Sequence, residues 1–199
     1  MSKNRSPDGP IAYTAIVNLL GEIDPHPERE GLQDTPNRVT KAWEYWMSGH
    51  RMRAEDVLKT FEDGATGVDE IVVQTGIPVY SHCEHHLAPF WGVAHIGYIP
   101  NKRIVGLSKF KRLIDVFALR LQVQERLTTE IAHAFNDAIN PLAVGVILQC
   151  RHMCMESRGI RTAGSTTMTS ALLGAFIDDR AARAEFLQLV RMASDGQKI

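Results

Sequence analysis

The apolar residues of this chain change their period part-way along, and that change limits the fold more than any other feature. From Ile11 to Ile23, the residues Ile16, Val17, Leu19 and Leu20 recur at helical spacing until Pro25-His26-Pro27 breaks the pattern. Thr35 before Pro36 reads as an N-cap followed by proline at the first helical position, and Val39, Trp43, Trp46 and Met47 then form one apolar stripe that ends near Gly49. Beyond a stretch containing Gly and Asp, Glu70–Thr75, Val79–His82 and Val93–Ile99 are short β-rich runs, separated by turn residues or by a compact segment around Pro89. Ser108 then caps a helix carrying Phe110, Leu113, Ile114 and Phe117, and another follows with Leu127, Ile131, Ala134, Phe135 and Ile139. Pro141 stops that helix; Ala143–Met155 reads as one long strand, Thr166–Leu173 as another, and Ala181–Met192 as a closing helix. The order predicts an α+β fold: N-terminal helices followed by an antiparallel sheet with a helical pair packed on it.

A chain of 199 residues can bury roughly 70% of its unfolded surface in one core. We therefore expect a single domain, with residues 1–10 as a flexible N-terminal tail and 11–50 as an N-terminal helical part. No apolar run approaches the roughly 20 residues that span a bilayer, so no membrane partner is expected. The opening MSKNRSPDGP lacks the apolar stretch of a signal peptide, and three cysteines do not make a disulfide framework. Both point to the cytoplasm. A formal net charge of −1 gives no basic footprint for nucleic acid. An anionic ligand must then be held by local charge.

The richest chemistry lies in Ser81-His82-Cys83-Glu84-His85-His86, which packs a thiol, a carboxylate and three imidazoles into six residues after a predicted strand. Cys83 and His86 have the C-x2-H spacing that lets a turn bring both side chains to one metal, and thiolate with imidazole suits zinc. Two ligands do not complete a site. The second cluster, Cys150-Arg151-His152-Met153-Cys154, falls on the long predicted strand, where alternate side chains share a face. On that reading Cys150, His152 and Cys154 point the same way, one of them supplying a third ligand and another standing by as a proton carrier. A three-ligand zinc keeps a fourth position for water, whose pKa falls to about 7 in catalytic sites. Against this stands the ordinary fate of a buried Cys as a small core residue, which is the default for Cys150 taken alone. A closed structural zinc is a further alternative.

His82-Cys83-Glu84 matches H-x-E, the first half of a nucleobase deaminase signature, but the downstream cysteines are spaced C-x3-C with no P-C-x-x-C. No G-x4-G-K-[ST] loop is present either, so a nucleoside triphosphate is not held in P-loop fashion.

Four motifs in order, C-E-H-H at Cys83–His86, G-L-S-K at Gly106–Lys109, Q-V-Q-E-R-L at Gln122–Leu127 and H-x-C-x3-R-G at His152–Gly159, resemble GTP cyclohydrolase I. Thr35-Pro36-x-Arg38 and Glu185-Phe186-Leu187 extend the resemblance from about Gly31 to about Arg191. It implies an enzyme that hydrolyses GTP at C8 of the purine, releases formate and rearranges the ribose to give 7,8-dihydroneopterin triphosphate, the first step of pterin and folate biosynthesis. It also implies a tunnelling fold assembled as a toroidal homodecamer of two pentamers, with active sites shared between neighbouring subunits.

Carried onto this chain, the resemblance makes Cys83, His86 and Cys154 the ligands of Zn2+ and His85 and His152 the proton carriers, with Cys150 a bystander. Glu125 and Gln124 would face the guanine. Ser108, Lys109, Arg112 and Arg158 would hold the triphosphate, with Arg38 as an addition. C8 lies between two ring nitrogens and is a poor electrophile until a nitrogen is protonated, so the reaction needs an acid beside the metal. A carboxylate at Glu125 can accept two N–H bonds from the Watson–Crick edge of guanine, a pattern adenine does not offer. His82 and Cys150 depart from the family pattern of small or apolar residues, and adjustment of metal affinity or thiol oxidation are the roles such an imidazole and thiol could take. Two other readings are a zinc purine deaminase and a non-catalytic tunnelling-fold protein that binds GTP or a pterin around a structural zinc.

Overall fold

In the computed structural model, residues 10–62 and 67–194 are described, and they divide into two compact units, Met1–Ser48 and Gly49–Ile199. The tail expected over residues 1–10 lies, apart from Pro10, outside the described residues. In the first unit, α1 (Pro10–Ile23) and α2 (Thr35–Trp46) follow the two helical patterns of the sequence and pack on each other. Trp43 and Trp46 meet edge to face in α2, with ring centroids 5.3 Å apart. Thr35 is already inside the helix: Asp34 is the N-cap, without a side-chain capping bond, and Arg38 N–H donates to its carbonyl at 3.0 Å.

The second unit begins with the short helix α3 (Ala54–Val57) and the two-residue strand β1 (Thr60–Phe61). Then come β2 (Val72–Cys83), β3 (Pro89–Ile99), β4 (Ile104–Val105), α4 (Ser108–Ala118), β5 (Leu121–Gln122) and α5 (Gln124–Ile139). The chain continues through β6 (Ala143–His152), α6 (Met153–Glu156), β7 (Thr167–Gly174), α7 (Ala175–Asp178) and α8 (Arg180–Ser194). A five-stranded sheet has the order β5-β2-β3-β6-β7, and β1 pairs with β4 separately. Every pairing in the large sheet is antiparallel except that of β5, which runs parallel to the end of β2.

The two runs read as separate strands before and after Gly76 are one strand, β2. Gly76 adopts φ +65° and absorbs a bulge between Gln74 and Ile77, so a residue that resembles a turn signal bends the strand instead. Ser108 likewise does not cap α4: the N-cap is Leu107, in helical conformation, and Ser108 is the first helical residue. At the other end, Asn140 in the left-handed region closes α5 just before Pro141.

The period-2 pattern of β6 feeds two cores. Val144, Val146, Leu148 and Cys150 pack with α4 and α5 residues such as Phe110, Leu113, Leu127, Ile131 and Phe135. Ala143 and Ile147 pack on the opposite side with Phe176, Phe186 and Val190 from α7 and α8. Between them, Gly145 sits opposite Gly97 of β3. A Cβ at either glycine would lie 2.6 Å from a Phe186 ring carbon, so the two bare backbones form the floor on which that ring rests. Full burial of a Phe side chain is worth roughly 1.5–3 kcal/mol, and Phe186 is completely buried.

The strand expected to run from Ala143 to Met155 stops at His152, and the chain turns helical in α6. The ladders account for this. The pairing with β7 ends at Cys150↔Thr167 and that with β3 at His152↔Phe90, one residue from the start of β3. With no partner left, the backbone satisfies itself locally, and Ser157 N–H donates to Met153 O at 2.9 Å.

Candidate metal centre and active site

The end of β2 and the start of β3 are joined by a tight turn that carries the metal-ligand motif. Cys83 N–H donates to Ala88 O at 2.8 Å and Leu87 N–H to Cys83 O at 2.9 Å, with Leu87 at φ +53°. Glu84 N–H donates to Gln122 O of β5 at 3.0 Å, anchoring the turn to the strand beside it. This geometry brings His86 Nδ1 to 3.7 Å and His85 Nδ1 to 3.9 Å from Cys83 Sγ.

Cys154 arrives from the end of β6, two strands over from β2. It is not a strand residue in line with Cys150 and His152, as alternation predicted; the helical turn of α6 takes it off the strand face. One ligand atom each from Cys83, His86 and Cys154 lie within 4.8 Å of one another. A tetrahedral zinc with bonds of about 2.0–2.3 Å needs ligand atoms roughly 3.3–3.8 Å apart, and the Cys83–His86 separation already meets this. The donor set of two sulfurs and an imidazole fits zinc. The Cys154 thiol is pushed above its ordinary range by burial and then by the adjacent Cys83, as expected for two sulfurs gathered where a cation belongs. Cys83, His86 and Cys154 could thus hold one metal ion together.

Cys150 is fully buried among apolar side chains, and burial pushes its thiol up to about 12. It stands in the core as a neutral thiol. His82 is buried as well and its imidazole is held below the usual value by desolvation.

The helix α5 supplies the other wall. Gln124, at its first residue, is buried, while Glu125 and Arg126 are exposed. Arg126 pairs with Glu84 of the metal turn and donates through Nε to Gln122 Oε1 at 2.9 Å. His152 stacks on Phe90 with ring centroids 4.8 Å apart and planes 11° apart, and its Nε2 lies 2.8 Å from Gln124 Oε1. Burial lowers the His152 imidazole, with the Glu125 carboxylate acting in the opposite direction. Arg158, exposed, is close enough to Cys154 to favour its thiolate.

A second group forms at the start of α4. Ser108 and Arg112 are exposed and Lys109 is half-buried. The Lys109 ammonium is lowered by desolvation and then by the neighbouring charges of Arg112 and Lys59. Such a concentration of like charge disfavours the fully charged apoprotein and suits a polyanion. Lys59 was missed in the sequence because it lies in an irregular stretch with no motif around it. Arg126 was missed as a holder of the metal turn, although it stands inside one of the four motifs. Arg38 belongs to the first unit, exposed and paired with Asp34 at 3.2 Å.

Residues 12–191 match the family model described as GTP cyclohydrolase I. The chain is 58% identical over 173 residues to the GTP cyclohydrolase 1 of Janthinobacterium sp. (strain Marseille), covering 87% of each protein. It is 54% identical over 189 residues to that of Nitrosospira multiformis, covering 95% of this chain and 97% of the relative. With the Leptospira biflexa protein of the same name the identity is 48% over 181 residues, 90% of this chain and 97% of the relative.

Proposed function

Because the chain belongs to the GTP cyclohydrolase I family, we propose that it hydrolyses GTP at C8 of the purine, releasing formate and forming 7,8-dihydroneopterin triphosphate for pterin and folate biosynthesis. The observation that carries this reading is the convergence of Cys83, His86 and Cys154 from two separate segments, with His85 beside Cys83.

Cys83, His86 and Cys154 would hold the zinc, which would supply Lewis acidity and the power to activate water near neutral pH. The remaining work falls to the chain's own groups. His85 and His152 exchange protons with the purine ring nitrogens and the departing nitrogen, a task that needs a group able to change charge near neutral pH. Glu125, exposed at the first turn of α5, accepts the guanine N–H groups. Ser108, Lys109 and Arg112, with Lys59 alongside, bind the triphosphate, and Arg158 adds positive charge. Phe90 keeps the His152 ring in one plane.

The functional unit in this reading is a homodecamer of two pentamers with the tunnelling fold. Two open sheet edges support an assembly of this kind. Within the described sheet β7 has a neighbour only at β6, and β5 covers only His82 and Cys83 of the outer side of β2. Long unpaired edges call for a partner strand. No described helix is long and apolar enough to cross a membrane, and the cytoplasm is the compartment in which we place the reaction.

Formate release from GTP by the zinc-loaded protein tests the reading. A protein that binds GTP and releases ammonia, or nothing, would overturn it.

A further inference from the structure

Gln124 is buried, and every polar atom of its amide is committed. Its Nε2 faces Leu148 O at 3.2 Å, Thr167 O at 3.0 Å and Thr169 Oγ1 at 3.0 Å. Two of these are backbone carbonyls, which only accept hydrogen bonds. The NH2 end of the amide must therefore face them, and the amide cannot be reversed. Its oxygen is left facing His152 Nε2 at 2.8 Å. An amide oxygen only accepts, so the ring nitrogen opposite it must carry a hydrogen.

The chain of donors closes on itself. Thr128 Oγ1 donates to Gln124 O at 2.7 Å and lies 2.6 Å from Thr169 Oγ1. With the Thr128 proton used on that carbonyl, Thr169 gives its own proton to Thr128 and accepts the Gln124 N–H on a lone pair. The amide's two hydrogens serve three acceptors, so one is shared, but the two backbone carbonyls among them fix which end of the amide faces His152.

We infer that Gln124 is a positioning residue that holds the His152 ring with Nε2–H on its amide oxygen and leaves Nδ1 bare. The inference rests on the proposed role of His152 in GTP hydrolysis, and it gives Gln124 a part in catalysis exerted through the imidazole rather than by contact with guanine. Phe90, stacked on the ring, fixes its plane, and Gln124 fixes which nitrogen is bare. Loss of the Gln124 contact would free the ring to adopt either tautomer, a loss that falls on kcat rather than KM.

The test uses the zinc-loaded enzyme labelled with 15N-histidine and studied by magic-angle-spinning NMR, with the His152 resonances identified by their absence in His152→Asn. The inference predicts, for neutral His152, a protonated Nε2 and a bare Nδ1. In Gln124→Met this preference is lost, and kcat for GTP falls by roughly 10- to 100-fold with KM changed less than about twofold. A protonated Nδ1 in the unmodified enzyme overturns the inference, and that measurement needs no variant to fold. A Gln124→Met enzyme with an unchanged tautomer and kcat but a raised KM overturns it also, returning Gln124 to guanine contact. Absence of formate release from the unmodified enzyme would instead overturn the proposed reaction, leaving the tautomer measurement to stand by itself.

Discussion

Arg126 of α5 pairs with Glu84, the residue between the metal-site Cys83 and the proposed proton carrier His85. The same guanidinium donates to Gln122 Oε1 at 2.9 Å and to Leu121 O at 3.3 Å, so the metal turn is tied to β5 and α5 by side chains as well as by the Glu84 N–H. Outer partners of a metal site commonly change affinity or activity by 10- to 100-fold when removed. Arg126→Met is expected to weaken zinc binding by about tenfold, read by competition with a chromophoric chelator. Unchanged affinity would make the pair an ordinary surface contact.

Cys150 and Cys154 should separate cleanly. Cys154→Ala is expected to abolish stoichiometric zinc and activity together, whereas Cys150→Ala keeps both and costs about 1–2 kcal/mol of stability through lost core packing. Metal analysis with urea unfolding of the two variants decides this. Loss of zinc from Cys150→Ala would move the third ligand back to the strand.

The contact of Phe186 with Gly97 and Gly145 predicts coupled stability effects. Gly145→Ala should destabilise by about 1–3 kcal/mol through overpacking, and Phe186→Ala by about 3–5 kcal/mol. In a double-mutant cycle the glycine substitution should cost less once the ring is gone. Additive effects would show that the ring does not set the need for glycine.

His95 is buried in β3, its Nδ1 accepts the Gly76 N–H at 3.4 Å, and desolvation holds its pKa below the ordinary value. A histidine depressed in the folded state contributes stability that is fully present above its unfolded pKa of about 6.5. As pH falls below that value the unfolded chain takes up the proton first, and the contribution drains away until the folded pKa is passed. Chemical unfolding at a series of pH values should therefore show a shallower loss of stability on the acid side for His95→Asn, by at most about 1.4 kcal/mol per pH unit. Equal slopes would mean that the folded protein protonates His95 without cost.

Helices α1, α2, α5 and α8 were legible because their apolar periodicity is strong, and the sequence order of helices, strands and helical pair gives the class correctly. The failures are local and share one cause: residue type was read without its partners. Gly76 resembles a break but bulges within β2, because β3 pairs with the strand on both sides of it. Cys154 follows the alternation of β6 on paper and leaves it in space, because the ladders end at Cys150 and His152. For the site, spacing picks out Cys83 and His86 as a pair and the family resemblance adds Cys154, but that α6 carries Cys154 off the strand face is not visible in the sequence. The link of His152 to Gln124 joins residues 28 apart, and the Arg126–Glu84 pair spans 42. Neither is visible to any local pattern.

On the proposed reading, the Cys83, His86 and Cys154 centre opens the guanine ring of GTP. The most direct measurement is anaerobic incubation of the zinc-loaded protein with GTP, following formate and the pterin chromophore, beside a His85→Ala control. Formate and pterin produced together by the unmodified protein, and lost in the variant, are the predicted result. A zinc-replete, assembled protein that binds GTP and yields no formate would contradict the account.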